Sequence, residues 1–267
     1  MIDGERGWLL AAVCLYGGVF AASLRTLRHH SLRPPPEAFL GFLSAFVCHT
    51  VFLFLRAAEI HHCPMTNLFE VAAFIGWSVA LIYLVVGPIY RMTLLGFLTA
   101  PMLAAGLAVS MLLPIDSPNP HQFPSGPAFE LHVALSLLAY GCMAVSATAG
   151  LFYLMQDHCL KRKYQIAWLA TIPSLHDLAQ VNRHLMAVSI LFLTGGLVAS
   201  LPIAEQSEWP KLLWLVIFWF YLSAVTAAAW ARRISSHRTA AHCVIIFVAM
   251  ISTFWLINSF APSHSSL

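Results

Sequence analysis

From Leu131 to Met155 the chain runs for 25 residues without a formal charge. A helix of that length rises about 37 Å, more than the ~30 Å hydrocarbon core of a bilayer. Inside lipid only a helix or a closed barrel satisfies its own backbone, so this stretch is read as a transmembrane helix. It is unusually rich in small residues (Ala139, Gly141, Ala144, Ser146, Ala147, Ala149, Gly150), which let neighbouring helices approach closely. His132 stands in its first turn, where an apolar side chain would suit lipid better. The stretch therefore reads as an inner helix of a bundle that holds a histidine at one membrane face.

The rest of the chain has the same character. Of 267 residues 60% are hydrophobic and only 9% charged, with mean hydropathy +0.78. Soluble domains carry about 25% charged residues. The fold class is an all-α polytopic membrane protein, a single membrane domain over residues 1–267. Eight spans can be drawn: Gly7–Leu24, Glu37–Arg56, Met65–Gly87, Met92–Leu113, Ala128–Gln156, His184–Leu201, Pro210–Ala231 and Thr239–Phe260. The first reads as a retained span rather than a cleaved signal. No repeat of fixed period is visible. A net charge of +3 gives no footprint for nucleic acid. The six cysteines form no C-x-x-C or C-x-x-C-H pair, which excludes redox-relay, zinc and covalent-haem motifs and leaves packing as their reading.

The loops after spans 1, 3, 5 and 7 hold 11 of the 14 basic residues; only Arg6, Arg56 and Lys211 fall on the other side. By the positive-inside rule both termini lie on the non-cytoplasmic side. This places His132 and His264 at the outer face and His49 within span 2. Two imidazoles on different helices, one for each face of the iron, suit six-coordinate haem. The alternative is that His132 and His264 are interfacial side chains. For His49 the alternatives are a functional site, the default for an ionisable group within a span, or an imidazole bonded to a neighbouring helix.

Four segments carry a resemblance. Pro64-Met-Thr-Asn67-Leu68-Phe-Glu70 through Trp77, Leu131-His132-Val133 with Tyr140, Leu193-Thr194-Gly195-Gly196-Leu197, and Asn258 with Pro262-Ser263-His264-Ser265 resemble, in matching order, motifs of the cytochrome c assembly family (CcsA, ResC and CcmC type). The resemblance covers roughly residues 40 to 267. It implies a haem-handling protein of cytochrome c biogenesis in the cytoplasmic inner membrane or an equivalent energy-transducing membrane. Haem would be held transiently and non-covalently, as a b-type haem, by His132 and His264 as the metal ligands, and presented to apocytochrome c. The implied partner is a second biogenesis membrane protein with a large outer domain. His49 is similar to the family's intramembrane histidines.

The family's outer tryptophan-rich signature, W-D-P-K-E-x-W-x-x-x-x-W, is degenerate here: Trp209-Pro210-Lys211-Leu212-Leu213-Trp214, then Trp219. A further family histidine near the cytoplasmic end of span 7 is replaced by Trp230. The chain thus resembles a short HemX-like member. Trp209 and Trp214 are expected to wall a porphyrin or to join an aromatic belt. Lys211 and Arg56 are expected to meet haem propionates or to serve as interfacial anchors. Glu70, which would repel propionates, is expected to cap a loop or bond a histidine. Two other functions stay open: a HemX-like regulator of haem biosynthesis acting through the basic loop after span 5, and a transporter of haem or another small molecule. The reading commits to no enzyme activity of the chain itself, although full-length relatives imply a lyase-type attachment role.

Overall fold

The computed structural model describes residues 4–28, 36–60, 64, 67–89, 95–113, 126–163, 173–203 and 209–260. Side chains at 26–28, 36, 95, 97–98, 203, 209–212, 214 and 253–260 are outside that description. The described residues form eight α-helices: α1 (Gly4–Arg28), α2 (Pro36–Ile60), α3 (Leu68–Ile89), α4 (Leu95–Leu112), α5 (Pro127–Lys161), α6 (Leu175–Ser200), α7 (Trp209–Trp230) and α8 (Ser236–Phe260). Five of them (α1, α2, α3, α5, α6) are long and apolar enough to cross a membrane, and the remainder contain shorter apolar stretches. Each overlies one expected span. The chain is a multi-pass helical membrane protein.

One boundary moves. The sixth span was expected from His184, yet α6 begins at Leu175. Ser174 takes an extended backbone and its Oγ accepts the Asp177 N–H at 3.2 Å, a side-chain N-cap that starts the helix early. The polar residues between belong to its first turns.

The helices alternate in direction. The face where α1, α3, α5 and α7 begin is called the entry face below; α2, α6 and α8 end there. Phe54, Leu191, Val198, Ile245 and Val248 project outward from the bundle. That is an apolar surface suited to lipid.

α5 is the axis: 72% of its spanning window is buried, against 22% for α1 and for α2. Its small residues make this possible. A Cβ at Gly141 would lie 2.9 Å from the backbone carbonyl carbon of Ser78 on α3, and one at Gly150 would lie 2.8 Å from the carbonyl oxygen of Ala240 on α8. Backbones approach at both points as only glycine permits. Cys142, Cys159 and Cys243 are buried, as expected of packing residues.

The packing order repeats although the sequence does not. In the first half α1 packs on α2 and α4; in the second α5 packs on α6 and α8; α3 against α5 joins the halves. Each half also ties its second and third helices with the same bond. Trp77 Nε1 donates to Thr50 Oγ1 at 2.9 Å, and Trp219 Nε1 donates to Thr194 Oγ1 at 2.8 Å. Both threonines in turn donate to the carbonyl one turn back, Phe46 and Ile190. Inside lipid such back-bonding leaves no hydroxyl unsatisfied.

Candidate functional site at the entry face

α5 enters the bundle with Pro127 in its first turn, and His132 follows on its second. Its Nδ1 lies 2.7 Å from the carbonyl oxygen of Gly196 on α6. A carbonyl can only accept, so Nδ1 carries the hydrogen and, in the neutral ring, Nε2 carries the lone pair. Among the described residues Nε2 has no hydrogen-bond partner. This is the usual arrangement of a metal-binding imidazole, one nitrogen donating to a carbonyl and the other left for the metal. The Leu193–Leu197 segment is therefore where α6 touches the histidine.

The expected partner, His264, lies outside the described residues, as do His61, His62 and His121. α8, which leads to His264, runs toward the entry face: Tyr140 Oη donates to the Met250 carbonyl at 3.3 Å. Trp209, Lys211 and Trp214 fall in the first turns of α7 at the same face, and their side chains are outside the description. The start of α7 and the end of α8 thus lie at the same end of the second half as His132.

Arg56 ends up elsewhere at that face. Its Nη1 meets Glu5 Oε1 at 2.8 Å and its Nε meets Glu70 Oε1 at 2.9 Å, joining α1, α2 and α3 in a buried triad. Asn67 caps α3, its Oδ1 accepting the Glu70 N–H at 2.8 Å. The Pro64–Glu70 motif is thereby accounted for structurally. Asn67 is the cap of α3, and among the described residues Glu70 bonds Arg56.

His49, midway along α2, is fully buried, and among the described residues neither ring nitrogen makes a hydrogen bond of ordinary length, the Ala73 backbone on α3 being at most a weak partner. The hydroxyl of Tyr16, whose ring centroid is 6.5 Å away, is likewise buried without one. An unsatisfied buried polar group costs about 1–3 kcal/mol, so two together call for a functional account. One is close by. A cavity of about 340 Å³ lies between α3, α4, α5 and α8, with Gly76, Leu103 and Leu107 in its wall. A Cβ built at Gly76 would sit 3.4 Å from His49 Cε1 and 3.3 Å from Leu107. His49 stands behind the cavity wall where Gly76 puts no side chain in front of it.

Two further histidines pair with aromatic rings in the opposite half of the membrane. His184 packs edge-on to Trp230, centroids 5.5 Å apart, and His242 Nδ1 lies 2.9 Å from Tyr221 Oη. Trp230, expected from the resemblance to replace a family histidine, has His184 of α6 beside it, a neighbour that no local motif could reveal.

Residues 65–262 match the model of a family described as cytochrome C assembly protein. Among curated proteins the chain is similar to the cytochrome c biogenesis protein CcsA of Chlorella vulgaris, 27% identical over 121 residues, which is 43% of this chain and 38% of that protein. It is also similar to CcsA of Gloeothece citriformis, 22% identical over 79% of this chain and 82% of that protein. Protein HemX of Bacillus subtilis is 22% identical over 72% of this chain and 68% of its own length. The chain therefore spans little more than a third of the length of several of the curated relatives it matches.

Proposed function

The chain belongs to the cytochrome c assembly protein family, and on that premise we propose that it holds haem at the entry face, between His132 and His264, for attachment to apocytochrome c. The observation that carries this reading is the His132–Gly196 bond, which leaves Nε2 without a partner among the described residues at a membrane face. Haem here is cargo, held non-covalently as a b-type group and passed on. The entry face would be the non-cytoplasmic one, in the inner membrane or an equivalent energy-transducing membrane, since 11 of 14 basic residues lie toward the other side. Trp209 and Trp214 would flank the porphyrin and Lys211 would neutralise a propionate. Arg56 is bridged by Glu5 and Glu70, so its part would be to order the ends of α1–α3 beside the site. His49, with its orphaned nitrogens and adjoining cavity, would be an intramembrane station that receives haem from lipid. The iron and the apocytochrome thiols supply the chemistry, and the protein supplies ligation and orientation. A second membrane protein with a large outer domain would complete the machinery.

The test is a reduced absorption spectrum with pyridine haemochrome on detergent-purified protein. A bis-histidine spectrum in wild type that weakens in His132→Ala and in His264→Ala is the expected result. The same low-spin spectrum after both substitutions would sink the reading.

A second reading is favoured by the exposed ridge Lys161-Arg162-Lys163 where α5 ends. It would dock a soluble enzyme of haem synthesis, as a HemX-like regulator. Association that ignores charge removal at these three residues counts against it. The transporter reading has the repeated packing order, the cavity between the halves and Pro101 inside α4 on its side, while α5 and α6 run unbroken.

A further inference from the structure

In water a neutral imidazole exchanges its hydrogen freely between its two nitrogens, and an iron needs one of them bare. In a membrane face the protein has to make that choice in advance. One contact at His132 makes the choice and two hold the elements that carry it. The Gly196 carbonyl accepts from Nδ1 at 2.7 Å. Ser136 Oγ donates to the His132 carbonyl at 2.7 Å, stiffening the turn that carries the ring. Two residues before Gly196, Thr194 accepts from Trp219, so α6 is braced from its other side by α7.

Gly196 is the point where this depends on the absence of a side chain. A Cβ there would stand 3.0 Å from Ser136 Oγ and 3.4 Å from the His132 carbonyl oxygen. The first distance is too short for comfort and the second is an ordinary contact. A side chain at 196 would push the α6 carbonyl away from the ring by way of the serine hydroxyl. The first half of the molecule supplies the contrast. The matching Trp77–Thr50 bond is present beside His49, but among the described residues no acceptor makes a bond to that ring as short as the one at His132, the Ala73 backbone being at most a weak partner.

We infer that Gly196 is a positioning residue for His132: its carbonyl fixes the hydrogen on Nδ1 and so delivers Nε2 as the iron-binding atom. This rests on the outer haem site proposed above and adds which atom ligates and what selects it. A donor bond on Nδ1 also makes the ligand more basic, which favours ferric iron and lowers the reduction potential.

The experiment has an arm without haem and an arm with it. In the first, histidine-¹⁵N-labelled wild-type protein in detergent, without haem, is compared by NMR with Gly196→Ala, Ser136→Ala and the double variant. His132 signals are identified by their loss in His132→Ala. Expected are an Nδ1–H tautomer in wild type and in Ser136→Ala, a shift toward Nε2–H in Gly196→Ala, and its return in the double variant, where the hydroxyl that forces the helices apart is gone. An Nε2–H tautomer in wild type overturns the inference, and so does a Gly196→Ala protein with the wild-type tautomer. If Gly196→Ala does not accumulate, the wild-type tautomer and the double variant decide.

In the second arm, the haem-loaded proteins are titrated for midpoint potential. Gly196→Ala is expected to shift upward and the double variant to return toward wild type. Haem bound through His132 with an unchanged potential overturns the inference while leaving the outer site standing. Failure of wild type to bind haem at all overturns both.

Discussion

The two halves of the bundle share a packing order and a tryptophan–threonine bond, yet they treat their histidines in opposite ways. In the second half His132 lies at a membrane face, partly exposed, with Nδ1 fixed and Nε2 unengaged. In the first half His49 lies at the bundle's mid-depth, fully enclosed, with both nitrogens orphaned beside a cavity. The entry end of the first half is closed by charge, through Glu5, Arg56 and Glu70; the corresponding end of the second half is held by glycine contact between α5 and α6. A charge triad ties three helix ends together. A glycine seam lets a carbonyl reach a ring. The first entry end is thus held by charge and the second by close packing, and the ligation proposed for His132 belongs to the second.

The largest expected effect comes from breaking the triad. Arg56→Ala leaves two buried carboxylates without their shared cation, and breaking a buried pair in this way costs about 3–5 kcal/mol. A large drop in unfolding temperature in detergent is expected, with the His132 spectrum of the protein that remains folded unchanged. Loss of that spectrum with unaltered stability would reverse the assignment and return Arg56 to the haem site itself.

The next effect has the opposite sign. His49→Leu replaces a ring with two orphaned nitrogens by an apolar side chain of similar reach. It should stabilise the haem-free protein by about 1–3 kcal/mol, the desolvation cost that the ring now carries. It should also abolish any haem signal that survives the double substitution of His132 and His264. Stability gained at the expense of binding is the mark of a residue kept for function. A destabilised His49→Leu protein would mean that the ring is already satisfied, and the contrast with His132 would narrow.

Much of this was legible in the chain, and the rest was hidden for physical reasons. The eight helices show as uncharged runs because lipid penalises every interruption, so a span advertises itself locally. α6 escaped that rule at its start. Asp177, Asn182 and Arg183 read as a loop with a possible helix start at Ser174; Ser174 does cap a helix, which continues unbroken into the span and buries Asn182 inside the bundle. The Leu193–Leu197 segment was visible as a motif, while its role was not, because its partner is a ring 64 residues away. Arg56 as a propionate partner followed from counting basic residues at one face; the two acids that occupy it come from α1 and α3, and only packing brings them there. The repeated architecture left no period in the sequence because what recurs is one Trp–Thr bond and an order of contacts. In lipid, most other positions are free to differ as long as they stay apolar.

The smallest expected effect discriminates the halves most finely. Thr194→Val and Thr50→Val each remove one hydroxyl and keep the shape of the side chain. Each leaves a tryptophan N–H without its acceptor, and each should cost about 0.5–1.5 kcal/mol. On stability alone the two variants should be indistinguishable. They differ in what the braced helix carries. Thr194 shares α6 with Gly196, so loosening α7 from α6 should broaden the geometry at His132 and weaken the His132-dependent low-spin spectrum. Thr50 adjoins His49, which has no fixed bond to lose, so the same spectrum should be untouched. Serine at either position keeps the acceptor and should restore wild-type behaviour. Equal spectral loss in both valine variants would mean that the bond serves the bundle as a whole, and that the second half has no private mechanism for holding its histidine.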